Sequence, residues 1–286
     1  MNSELAKKVF ANLFVVDDAI INRVNVIMVN LTSLLSPLFY IELNRELVKE
    51  NSYYVLIQSL IDIFKAQMIE RYASKRLVFY YKDIYKPYII RELYPNWRVI
   101  NGKDEKAIYG VKTYDILHNT ITQLAKIGQV TQIVSEEEDH IWKAREYISN
   151  LGDTQVLIIS RDPMDMLNAV YKNVTVWNGR YPYSYDIVRK PDKKVLEFGN
   201  TSPIGMSWVL LLAGAPSKIG YSGIFRFGVK KAIDFIVNNT EVLLMEADEI
   251  LASEKYSDAI KSVIPYRPLF FYRDYVIWYN NRKIQK

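Results

Sequence analysis

The chain has 286 residues, half of them hydrophobic, and a formal net charge of +5, which allows one large or two small domains with a sizeable core. It has no cysteine and two histidines, which excludes disulfides, Cys-based zinc sites and multi-histidine metal centres. A metal here would need oxygen ligands, as Mg²⁺ or Mn²⁺ prefer. The 22 tyrosines, interleaved with Lys and Arg, and the mild basicity fit a polyanionic partner whose bases stack on aromatic rings, although half-buried core tyrosines give the same composition.

In chain order, Val9 to Val16 reads as a short buried strand ending at Asp17-Asp18, and Ile20 to Leu35 then has helical spacing. The apolar stretch from Asn12 to Leu38 is interrupted by Asp17, Asp18, Asn22, Arg23, Asn25 and Asn30, so no membrane span is expected and the chain reads as cytoplasmic, without a signal peptide. Tyr53 to Ala73 is an amphipathic helix, with Val55, Leu56, Leu60, Ile63, Phe64, Met68 and Ile69 on one face. Arg76 to Tyr81 is a second strand, followed by Lys82-Asp83. Tyr85 to Lys112 is irregular, basic and aromatic, and Thr113 to Lys126 is a further amphipathic helix. A strand from Val130 to Val134 leads into Glu136-Glu137-Glu138-Asp139-His140-Ile141 on a helix. Val156 to Ile159 is a fourth strand, ending in Ser160-Arg161-Asp162. Asn173 to Trp177 is a fifth, and Tyr185 to Phe198 a strand pair.

This alternation predicts an α/β domain, residues 1–202, with a mostly parallel central sheet and helices on both faces. Carboxylates recur where strands end: Asp17, Asp83, Glu136 to Asp139, and Asp162. An acidic first turn caps a helix without further purpose. Four strand ends delivering carboxylates to one edge instead form the pattern of a metal-dependent phosphodiester site.

From Pro203 the texture changes, and residues 203–286 read as a helical subdomain. Ile204 to Ala213 is an apolar helix, Gly214 to Gly223 a glycine-rich connection, and Phe227 to Ile233 opens a second helix carrying Lys230 and Lys231. A helix–hairpin–helix of this kind can grip a DNA phosphate, and an ordinary helical hairpin with solvated lysines reads the same way. Residues 241 to 262 are polar and helical, and Ile264 to Lys286 form a basic aromatic tail that either packs on the body or binds a partner.

Over roughly residues 9 to 235 the sequence resembles the 5′-nuclease family (flap endonucleases, the 5′-exonuclease domain of bacterial polymerase I, bacteriophage RNase H), with the phage RNase H branch the nearest in motif. Glu136-Glu137-Glu138-Asp139 resembles the family's Glu-Ala-Asp-Asp motif, and His140-Ile141 follows as in the phage branch. Ser160-Arg161-Asp162-Pro163-Met164 resembles Ser-x-Asp-x-Asp, Asn173 to Trp177 the next strand, and Gly214 to Lys231 the glycine-rich helix–three-turn–helix. Asp17 resembles the family's first Asp, and either Asp83 or Tyr81 stands at its second. The resemblance implies a PIN-like nuclease domain with an arch at about 82–112, and catalytic residues Asp17, Asp83, Glu136, Asp139 and Asp162. It implies one Mg²⁺ or Mn²⁺ held by Asp17, Glu136, Glu138, Asp139 and Asp162, strand contacts from Lys86, Arg91 and Arg98, and duplex contacts from Gly220, Gly223, Lys230 and Lys231. The departures are Met164, Ala215 and Lys218, where the family places second-metal carboxylates. Losing carboxylates removes the ligand charge that a hard cation requires.

Three readings follow. The first is a divergent nuclease acting on branched or nicked DNA, or RNA–DNA ends, in phage-type replication, with weak or lost hydrolysis. The second is an inactive relative serving as a DNA-binding or scaffold subunit of a viral complex, its tail docking a replication protein. The third is an unrelated α/β protein whose acidic strand ends are chance.

Overall fold

The computed structural model describes residues 16–35, 58, 61–83, 85–99, 102–103, 111–127, 130–179, 182–184 and 203–285. They form two compact units, one running to Ile89 and resuming from Lys103 to Ser184, the other made of Ile90 to Gly102 and the residues after Ser184.

In the first unit, helix α1 (Asp18–Arg23) precedes strand β1 (Val26–Asn30). Strand β2 (Arg76–Lys82), helix α2 (Val111–Ala125), strand β3 (Thr131–Ser135), helix α3 (His140–Ser149) and strand β4 (Val156–Ile159) follow. A 3-10 helix (Pro163–Val170) then leads to strands β5 (Val174–Trp177) and β6 (Pro182–Ser184). The sheet order is β3-β2-β1-β4-β5-β6. The first five strands are parallel, and β6 runs antiparallel to β5.

The expected helix from Ile20 to Leu35 is thus split, with a strand in its middle. Val26-Ile27-Met28-Val29 is an unbroken apolar run, which suits a doubly buried strand as well as a buried helix. Pairing with β2 on one side and β4 on the other decides it, and all five β1 residues are buried, as central parallel strands are. Ile27 and Val29 face a core shared with Phe79, Leu157, Ile159, Phe64, Met68 and Leu124. Because side chains alternate along a strand, Met28 and Asn30 face the other way. Register sets Asn30 beside Tyr80. The expected strand at 9–16 and strand pair at 185–198 lie outside the described residues, save Val16.

The second unit contains α4 (Pro203–Ala213), α5 (Pro216–Ile219), α6 (Val229–Asn238), α7 (Ala247–Ala252), α8 (Asp258–Lys261) and α9 (Tyr272–Gln285). Helix α4 is buried from Gly205 to Leu212, the mark of a central helix. The tail packs into this unit. Leu269, Phe270 and Tyr275 are buried, Arg267 pairs with Asp274 at 3.2 Å, and Arg282 grips both carboxylate oxygens of Glu92.

The segment from Ile90 to Val99, expected within an arch, is also folded into this unit. Trp97 is buried against Phe270 with ring centroids 5.9 Å apart. Arg98 is buried, has a φ of 55° and donates its backbone N–H to the Ile219 carbonyl at 2.8 Å. Arg91 donates Nε–H to the Trp97 carbonyl at 2.9 Å. Burying an indole is worth a few kcal/mol, and Arg98 beside it is held in backbone packing; residues 104–110 of the expected arch lie outside the described residues. No helix among the described residues is long and apolar enough to cross a membrane.

Candidate active site at the strand ends

In a parallel sheet the crevice beyond the carboxyl ends of the strands is where ligands bind. The residues there differ from those expected. Asp17 is exposed and caps α1 by accepting from Ala19 N–H at 2.8 Å. It precedes a helix that leads into the start of β1, so it is not at that strand's carboxyl end. That position belongs to Asn30, which is fully buried. At the end of β2 stands Lys82, also buried, and not Asp83 or Tyr81.

Asn30 is the hub of a buried polar network. Its Nδ2 donates to Asp165 Oδ2 at 2.7 Å and lies 3.0 Å from His140 Nε2. Its Oδ1 accepts from the Ser33 N–H at 2.9 Å. With both amide hydrogens so engaged, His140 Nε2 acts as acceptor, which places the imidazole proton on Nδ1. That atom lies 3.3 Å from Asp139 Oδ1. Asp139 also caps α3, accepting from Ile141 N–H at 3.2 Å, so the acidic run ends in the cap and the helix begins at His140.

On the other flank, Asp162 caps the 3-10 helix by accepting from Met164 N–H at 2.9 Å. Asp165, one turn along, is fully buried, and its pKa is raised to about 7, first by burial and then by the charge of Asp162. Tyr80 is buried beside it, and burial together with the Asp165 charge raises its hydroxyl pKa well above the ordinary value. Ser160 and Ser33 hydroxyls meet at 2.9 Å.

The lysine closes the third side. Lys82 Nζ donates to the carbonyls of Asp83 at 3.0 Å, of Lys86 at 2.9 Å, and of Glu136. Three N–H groups meet three carbonyl oxygens, and the ammonium lies 5.1 Å from the centre of the Tyr88 ring. It thereby ties the acidic loop to the loop after β2.

Of the candidate carboxylates, Asp139 and Asp162 flank this network, through His140 and Asp165 respectively. Glu138 is turned to Lys143, at 2.8 Å. Glu136 and Glu137 are exposed, and Asp83 Oδ1 accepts from Tyr85 N–H at 3.0 Å. Among the described residues no group of three His, Cys, Asp or Glu side chains is placed to hold a metal ion. Asp139 and Asp162 each accept one cap N–H, which leaves lone pairs on both carboxylates, while Asn30 and Lys82 present hydrogens at the ends of β1 and β2. As placed, the described residues do not converge on a divalent ion. Sequence reasoning missed Asn30 because the helix drawn through it concealed a strand end. It gave no role to Asp165, one residue past Met164.

In the second unit, Lys230 and Lys231 are exposed at the start of α6. Gly220 and Gly223 have φ of +71° and +63°, and both are pressed against backbone. A Cβ on Gly220 would lie 2.3 Å from the Asn96 carbonyl oxygen, and one on Gly223 2.5 Å from that of Leu212. This close backbone packing accounts for both glycines. Lys86 is exposed in the first unit.

No family profile matches the sequence, and no curated protein matches it. Solved structures do. The chain is similar to the bacteriophage T5 flap endonuclease in a product complex with DNA and metal ions, at 17% identity and a TM-score of 0.56, covering 87% of this chain and 86% of that one. It is also similar to the T5 5′-exonuclease with zinc ions bound, at 16% identity and a TM-score of 0.55, covering 87% of both chains. Parallel strand order, the helical second unit and coverage of most of both chains agree: this chain has the 5′-nuclease fold.

Proposed function

We propose that the chain binds branched or nicked DNA, or RNA–DNA ends, and does not hydrolyse it. The observation that carries this reading is the pair Asn30 and Lys82 at the ends of β1 and β2. In the family that the sequence resembles, acidic residues follow the first two parallel strands, and in the described sheet those positions fall to Asn30 and Lys82 rather than to Asp17 and Asp83. Two-metal hydrolysis needs carboxylates to hold the ions that generate hydroxide and stabilise the transition state. An amide and an ammonium, both engaged in hydrogen bonds, supply neither role. The setting that we propose, from the motif resemblance, is phage-type DNA replication.

The test is incubation of the purified chain with labelled flap and nicked duplexes in Mg²⁺ or Mn²⁺. The expected result is retention of the substrate without products, with the same affinity in EDTA. Cleavage that disappears in Asp162→Ala would restore the hydrolytic reading. Binding should weaken with salt, because phosphate contacts release counterions, and the double variant Lys230→Ala, Lys231→Ala should reduce the log–log salt slope by about 2. An unchanged slope would remove α6 from the interface.

A further inference from the structure

We infer that Phe225 is a stacking platform for an unpaired nucleobase of a single-stranded segment. This rests on the DNA-binding reading and adds a contact to it. Phe225 is 84% exposed, an unusual state for so large an apolar ring. The guanidinium of Arg226 lies 5.0 Å from its ring centre, and Arg226 has a φ of 58°. A non-glycine residue with positive φ is uncommon, and the turn it forms leads within four residues to the exposed Lys230 and Lys231.

Charge selects the partner. From Pro203 to Ile233 there is no Asp or Glu, while Lys218, Arg226, Lys230 and Lys231 are all cationic. Two other apolar side chains are as exposed, Leu244 at 85% and Ile284 at 84%. Leu244, however, lies between Glu241 and Glu246, and neither side chain has an aromatic face. Among these three described residues, Phe225 joins a π-face to an acid-free basic run.

An aromatic ring beside cations is the chemistry that binds single strands: the ring takes a base, and the cations take the flanking phosphates. In a duplex the bases are stacked on both faces already, so a single protruding ring finds its partner in an unpaired base. Arg226 covers one face of the ring, and the base takes the other.

The experiment measures binding of a single-stranded oligonucleotide of about 16 nucleotides containing 2-aminopurine, and of a blunt duplex, by the full chain and by Phe225→Ala and Phe225→Trp. Phe225→Ala should weaken single-strand binding roughly tenfold and leave duplex binding within twofold. Phe225→Trp should keep the affinity, and its indole emission should be quenched by the oligonucleotide. Single-strand affinity unchanged in Phe225→Ala, with duplex binding intact, overturns the stacking contact and leaves the DNA-binding reading standing. A parent chain that binds neither nucleic acid at low salt overturns both.

Discussion

Asp165→Asn is expected to abolish a pH dependence of stability and to make the protein more stable at pH 8. In the folded chain the Asp165 carboxyl is raised to about 7 by burial and by Asp162, whereas unfolded it titrates near the ordinary aspartate value of about 3.9. Between those limits the folded state holds more protons than the unfolded state. Unfolding free energy therefore falls as pH rises from about 4 to about 7, and is flat above that. The full span corresponds to up to about 4 kcal/mol. The substitution removes the charge and keeps an acceptor for Asn30. Its new amide takes the place of the oxygen that accepts from Asn168 Nδ2 at 3.4 Å, so the Asn168 amide has to turn and present its Oδ1, which is buried without a hydrogen-bond partner. Denaturant unfolding from pH 5 to pH 8 checks this: the parent should lose stability across the range and the variant should not. Parallel profiles would show that Asp165 is charged throughout. Asn30→Asp should act oppositely, because it deletes the donor 2.7 Å from Asp165 and adds a second buried carboxylate.

The second large effect lies in the glycine-rich turn. Gly220→Ala and Gly223→Ala should each destabilise by about 3 kcal/mol, the sum of a left-handed backbone cost for an L-residue and an overlap with neighbouring atoms. The overlap is with backbone, the Asn96 and Leu212 carbonyls, so no rotamer change relieves it. Gly228→Ala is the control. Its Cβ meets nothing within 4 Å, and because Gly228 is the N-cap of α6 its effect should reach no more than about 1 kcal/mol. Thermal unfolding followed by circular dichroism separates these outcomes. Loss of DNA binding in the Gly220 or Gly223 variants is informative only at temperatures where they remain folded.

Much of the architecture was legible in the sequence. Strands β2 to β5, helices α2 and α4 and the acidic turn before α3 lie within a few residues of their expected places, because apolar runs, amphipathic spacing and turn residues agree there. The N-terminal strand was not legible. Val26 to Val29 is uniformly apolar, so its period does not separate helix from strand, and only its two parallel neighbours decide. The strand hidden in that run ends at Asn30, whereas the strand expected before Asp17 lies outside the described residues, save Val16. The candidate site was legible in its acids and illegible in its use of them. Asp139 and Asp162 do sit at strand ends, but their carboxylates cap helices, and that depends on where each helix starts. Lys82 was read as a residue beside a ligand. Its burial among three carbonyls follows from two loops meeting, which no local pattern records.

The carbonyl-bound Lys82 ammonium has a consequence for how this fold is held together. A loosely bound ion stabilises a protein by mass action, in proportion to the logarithm of its free concentration over its dissociation constant. A cation carried on a side chain is present at fixed stoichiometry and cannot be chelated, diluted or exchanged. The contacts that tie the acidic loop to the loop after β2 through Lys82 are thus held by a cation that belongs to the chain itself.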